Sequence, residues 1–250
     1  MSKLLRLEAR KLLRQTSLYV CAAIAVGSAL VSAFTYWLLD DAMAQMGLAM
    51  NFSSSSFALS GLSAASFETL LGIVIALNVC KDHTQQTVRI VCGRGYSRTK
   101  IYWSKLATSL AITTVLFAVS MAFSALLGIC FFEAGTFDGH FFRIVGVQYL
   151  VSLAEGVLFF GICMLIRKSG LSITTVVIAP LIVPLVLGLL NAAIQPEGFA
   201  INDYWLTNCL ASLSFDTVSA ERMTECVITA LCYIPPCAVL PSLLYRKFEF

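Results

Sequence analysis

Apolar residues run along this chain in six long blocks separated by short polar stretches. A helix crossing the hydrocarbon core of a bilayer needs roughly 20 predominantly apolar residues. The blocks Ser17–Leu39, Gly61–Val79, Leu106–Phe132, Ile144–Ile166, Leu171–Ile194 and Cys226–Tyr245 each predict a spanning helix. Two are interrupted by an acid, the second by Glu68 and the fourth by Glu155. The first block follows basic residues and precedes Ala42-Met43-Ala44, the order found in a signal peptide, but its apolar stretch is too long for a typical h-region. It is read as a retained helix. The pattern predicts an all-α, polytopic membrane protein organised as a single transmembrane domain over residues 1–250.

Composition strengthens this picture. Of 250 residues, 58% are hydrophobic and 12% charged, and the mean hydropathy is +0.84. Soluble domains carry about a quarter charged residues, and a soluble core of this size cannot hide so much apolar surface. A net charge of +3 is too small to indicate nucleic acid. Its distribution is more informative than its sum. Lys3, Arg6, Arg10, Lys11 and Arg14 precede the first block, and Lys81, Arg89, Arg94, Arg98, Lys100 and Lys105 lie between the second and third. Arg167 and Lys168 separate the fourth from the fifth, and Arg246 and Lys247 follow the sixth. Of the seventeen basic residues only Arg143 and Arg222 fall on the other side. The positive-inside rule then places both ends and the basic loops in the cytoplasm.

The segments between the blocks differ in kind. In residues 1–16, Arg6, Arg10 and Arg14 repeat every fourth residue while Leu5, Ala9, Leu12 and Leu13 line another face. That pattern predicts an amphipathic helix in the plane of the membrane surface, its cations near anionic lipid. A plain basic tail is the alternative. Residues 196–225 form the longest external segment, with an apolar patch too short and too polar to span; an interfacial or re-entrant hairpin fits it. The nine cysteines include no CxxC pair. Cys21, Cys130, Cys163, Cys226, Cys232 and Cys237 read as small hydrophobes within apolar runs. Cys209 lies in the external segment, where pairing with a neighbour stays open. No metal site is visible.

Catalytic patterns are missing from the sequence. His83 and His140 fall on opposite sides of the predicted membrane. Neither HExxH nor GxSxG occurs, and Gly93-Arg94-Gly95-Tyr96-Ser97-Arg98-Thr99-Lys100 departs from the phosphate-binding GxxxxGK[ST] loop. The chain is expected to hydrolyse no ATP itself and to bind no cofactor. An intramembrane enzyme would need polar residues from several spans at one depth, which Glu68 and Glu155 alone do not supply.

The loop at residues 80–105 is the most informative. Asp82 is placed to cap a short helix, Gly93 or Gly95 to end it, and Ser97 to cap the next. Val88, Ile90 and Val91 beside Arg89 make a short amphipathic rod suited to docking a partner. Asp82, Thr87 and Arg89, then Gly95-Tyr96-Ser97-Arg98, then Ile101-Tyr102 and Lys105 resemble, in order and kind, the cytoplasmic loop of ABC type-2 transporter permeases, with Gln86 where that family often has glycine. The layout of the whole chain is similar to theirs as well. The resemblance implies half of a membrane dimer, completed by a second copy or a paralogous permease, above two separately encoded ABC ATPase subunits that hold ATP and magnesium. Asp82, Thr87, Val88, Arg89, Ile90, Val91 and Arg98 would then couple the chain to the ATPase. It further implies export from a cell membrane, and small bacterial members of the family often move drugs, antimicrobial peptides or lantibiotics. A non-transporting anchor, channel or sensor partner is the alternative.

Within the spans, Glu68 and Glu155 are costly in lipid, ~2.5 kcal/mol or more for an unpaired charge near its centre. They are candidates for the translocation path, or else protonated groups bonded to a neighbouring helix. Pro180 and Pro184 in the fifth block, and Pro235, Pro236 and Pro241 in the sixth, each remove a backbone donor. They mark gating hinges or packing kinks.

Overall fold

The computed structural model describes residues 2–14, 16–45, 53–63, 65–84, 91, 93, 95–133, 135–166, 168–194, 200–215 and 218–247. Among them the chain is helical, with one isolated bridge between Ser53 and Glu133. The helices are α1 (Ser2–Leu13), α2 (Thr16–Gln45), α3 (Ser54–Ser63), α4 (Ala65–Thr84), α5 (Arg98–Phe131), α6 (Gly139–Ile166) and α7 (Ser169–Ile194). A 3-10 turn at Ile201–Tyr204 and the short α8 (Leu206–Ser212) lead into α9 (Ala220–Lys247).

Among the described residues five helices are long and apolar enough to cross a membrane: α2, α5, α6, α7 and α9. This is a multi-pass membrane protein. The predicted second span is built differently from the expectation. Its apolar block is divided between α3 and α4, and α4 carries Glu68, Lys81 and Asp82 within 20 residues. Composition therefore does not mark α4 as a span, yet it lies at the centre of the bundle. Phe67, Leu71, Val74, Ile75, Val79 and Cys80 are all buried against other helices.

The opposite pattern holds at the periphery. Along their spanning stretches, α2 and α7 are only 11% buried, whereas α6 is 61% buried. Val31, Phe34, Leu181, Leu185 and Leu189 point outward, each more than half exposed. An outer face of this kind suits lipid as solvent, with α4 and α6 shielded behind it.

Helices in lipid associate through close packing more than through a hydrophobic driving force, so small residues set the approach. At Gly128 of α5, an added Cβ would fall 2.7 Å from the backbone oxygen of Ser54, at the start of α3. At Gly156 of α6 it would fall 2.4 Å from Thr113 Oγ1 of α5, and at Gly72 of α4 1.9 Å from Val176 Cγ1 of α7. Backbone cannot rotate aside as a side chain can. Gly128→Ala is therefore expected to force α3 and α5 apart at a cost of about 1–3 kcal/mol. Thermal unfolding in detergent should show a lowered midpoint, while Gly27→Ala, with nothing within 4 Å, should leave it unchanged.

Both proline-bearing helices run unbroken through their prolines. Pro241 leaves the Cys237 carbonyl without its usual i+4 donor. Gly161 of α6 lets that carbonyl approach to 3.0 Å of its ideal Cβ position, and the Tyr102 hydroxyl donates 2.7 Å to the next carbonyl, Ala238. A side chain of α5 thus bonds the backbone of α9 beside Pro241.

Candidate functional site

Two polar clusters lie at opposite ends of this bundle. The first joins α1, the end of α4 and the start of α5. Asp82 is 2% exposed, and its carboxylate accepts from the Lys11 and Lys105 ammonium groups. Lys105, equally buried, also lies 3.5 Å from Glu8 Oε1. Burial by itself would raise the Asp82 carboxyl, but Lys105 foremost, with Lys11, outweighs burial and holds it below the usual aspartate value of 3.8. A depressed carboxylate contributes its stability above the unfolded-state value. The cluster is therefore intact near neutral pH and is lost only as pH falls through that depressed value.

This arrangement corrects the expected local role of Asp82. It caps no new helix, because α4 continues past it to Thr84. Its side chain faces inward, onto Lys11 of α1 and Lys105 of α5. Of the other predicted coupling residues, Thr87, Val88, Arg89 and Ile90 lie outside the described residues. Val91 has helical backbone and is half-buried. Gly95 takes φ +86°, a left-handed conformation open to glycine without strain, and so turns the chain. Ser97 stands at the N-cap of α5 in extended conformation without a side-chain cap bond, and Arg98 opens the helix half-buried.

The same end of the bundle gathers other contacts. Cys80 Sγ donates to Ser172 Oγ at 3.2 Å, linking α4 to the start of α7. The Tyr102 ring packs on Phe160 and Tyr245, near the ends of α6 and α9. The end of α1, the ends of α4, α6 and α9 and the starts of α5 and α7 therefore meet at one end of the bundle. In α1 and the turn after it, Arg6, Arg10 and Arg14 are exposed while Leu12 packs on the core, as the amphipathic pattern predicts.

The second cluster is buried toward the other end. Glu68, in the first turn of α4, is 1% exposed, and its Oε2 accepts from Thr207 Oγ1 at 3.0 Å. Thr207 belongs to α8, which folds back so that Leu206, Cys209, Leu210 and the following Leu213 enter the core. Glu155 of α6 is 2% exposed and lies within electrostatic reach of Glu68. The structure thus brings together the two acids that the sequence places in separate spans. Neither makes an ion pair with a basic residue among the described residues, and one oxygen of each has no hydrogen-bond partner there. Two turns before Glu155, Gln148 spends its amide on the carbonyls of Leu59 (3.2 Å) and Leu213 (3.1 Å), tying α3 and the segment before α9 to α6. Arg222 does the same from α9, donating to the Asp203 carbonyl at 2.9 Å.

Sequence reasoning missed Glu8, Lys11 and Thr207. Glu8 carried a signal, as the sole acid among the first sixteen residues. Gln148, Ser152 and Glu155, at helical spacing in an apolar block, carried another. Thr207 carried none, because its partner is 139 residues away.

No curated protein matches the chain. Its family is nevertheless defined: residues 4–191, well over half of the 250, match the family model described as ABC-2 family transporter protein. With its bundle of apolar helices and this match over most of its length, the chain belongs to the ABC-2 family of transporter proteins.

Proposed function

We propose that the chain is the six-span permease of an ABC exporter, with the basic end of the bundle in the cytoplasm and α3–α4 as the second span. It moves a hydrophobic or amphipathic substrate outward, and amphipathic peptide antibiotics are the class to try first. A separately encoded ATPase, in two copies, supplies the energy and holds ATP and magnesium; a second permease completes the pathway in the cell membrane. Residues 80–105 dock on the ATPase, with Arg89 and its neighbours as the contact. ATP binding stabilises one arrangement of the spans over the other, and the difference in affinity is what drives the shift. Pro180, Pro184, Pro235 and Pro236 are where we place the bending.

The observation that carries this reading is the buried cluster of Asp82 with Lys11 and Lys105. It fixes the root of the docking loop to both the surface helix α1 and the span α5. A push on the loop is thereby delivered to two helices and not absorbed at a flexible joint. Reconstituting the permease with its ATPase in lipid vesicles tests the function. ATP added on the ATPase side should drive an amphipathic fluorescent peptide across the membrane, and no ATP-dependent movement of any amphiphile tried would count against it.

A further inference from the structure

We propose that Cys209 and Cys226 form a disulfide that staples the external segment to the last span. The two come from different elements, α8 and the first turns of α9. Each is buried, at 1% and 0% exposure, and the two thiols lie within hydrogen-bonding reach of each other. Cys226 Sγ also lies 4.0 Å from the Cys209 carbonyl and 3.8 Å from Ser212 Oγ, so it sits directly on the last turn of α8. Both are free thiols in this structure.

Two cysteines meeting across elements are useful to a protein chiefly where thiols are oxidised, which is outside the cytoplasm. The orientation proposed above puts this pair on the outer side. A second pair provides the contrast. Cys80 and Cys163 are also buried and within reach of each other, but at the basic end, beside Ser172. In a reducing cytoplasm that pair stays as thiols. The inference rests on the proposed orientation.

The step is simple in its balance. Two S–H bonds break and one S–S bond forms. Two protons and two electrons pass to a disulfide oxidant, which leaves as two thiols. Because both sulfurs are buried once α8 has packed, the exchange belongs to the stage before that packing, or to openings of the hairpin. The bridge closes a short loop and holds α8 in place, and with it the Thr207 hydroxyl on Glu68. It thus fixes the outer wall of the buried acidic pair.

The test uses the full-length protein in membranes. The membranes are incubated with an excess of oxidised over reduced glutathione, which reaches the outer face. The protein is then denatured in the presence of iodoacetamide and its intact mass and peptides are measured. The expected result is two fewer alkylated cysteines than the nine in the sequence, with a linked peptide joining Cys209 to Cys226. The Cys209→Ser variant should show no bridge and all its remaining cysteines alkylated. Nine alkylated cysteines in the wild-type protein would overturn the proposal while leaving the orientation standing. A bridge between Cys80 and Cys163 instead would overturn the orientation together with the proposal.

Discussion

Asp82→Ala should strip the proposed docking loop of its anchor and destabilise the protein by about 3–5 kcal/mol, the cost of removing one partner from a buried ion pair. The substitution leaves Lys105, 3% exposed, beside Lys11 with Glu8 as the acid still near it. The result is an under-compensated buried cation, and relief requires that α1 lift away or that the end of α4 separate from α5. Thermal unfolding of the purified protein should show the loss directly. A double-mutant cycle distinguishes the pair from local damage. Asp82→Asn and Lys105→Gln together should cost clearly less than the sum of the two single changes, because groups in contact couple. Additive costs would mean that the cluster is not the anchor. ATP hydrolysis by the assembled complex should continue in Asp82→Asn while transport falls, since the fuel lies in the partner and the linkage in this chain.

Glu155→Gln should lower transport about tenfold or more, ~1.4 kcal/mol of differential stabilisation, with little change in folding or assembly. The amide keeps the length and hydrogen-bonding shape of the side chain and removes its capacity for negative charge. Nothing in the packing calls for that charge: no basic residue pairs with it among the described residues, and one of its oxygens has no hydrogen-bond partner there. A carboxyl retained at such a cost within a span is expected to act on what passes through the bundle. The vesicle assay reads the outcome. Glu155→Gln with unimpaired transport and unaltered choice of substrate would leave Glu155 as a structural group. Glu68→Gln should show a smaller loss, because Thr207 still has an oxygen to donate to.

The spans were legible in the sequence because lipid imposes one simple requirement, a long apolar helix, on most of them. The exception shows why. The second apolar block reads as one span interrupted by Glu68, but its residues fall in α3 and α4, and the Glu68 side chain is buried because α4 is sheltered by its neighbouring helices. Shelter is a property of the assembled bundle, which hydropathy along the chain does not record. The position of Asp82 shows a related limit. Local rules favour an acid as a helix cap, and the loop motif marked it as important, but its partners Lys11 and Lys105 lie 71 and 23 residues away. The acids Glu68 and Glu155 stood out individually as charges in apolar blocks. That they share one region, with Thr207 of α8 bonded to Glu68, depends on how α8 folds back, and the packing of Leu206, Leu210 and Leu213 decides that.

We propose that this chain is moved by a separate ATPase subunit. The direct measurement is quantitative co-purification from membranes of cells that carry the chain's own neighbouring genes. Wild-type protein should bring down a separate subunit with phosphate-binding and ABC signature motifs, in about equal copy number to the permease, and Arg89→Glu should lose most of it while remaining folded in the membrane. Absence of any such subunit from the wild-type preparation, or its undiminished recovery with Arg89→Glu, would contradict the account.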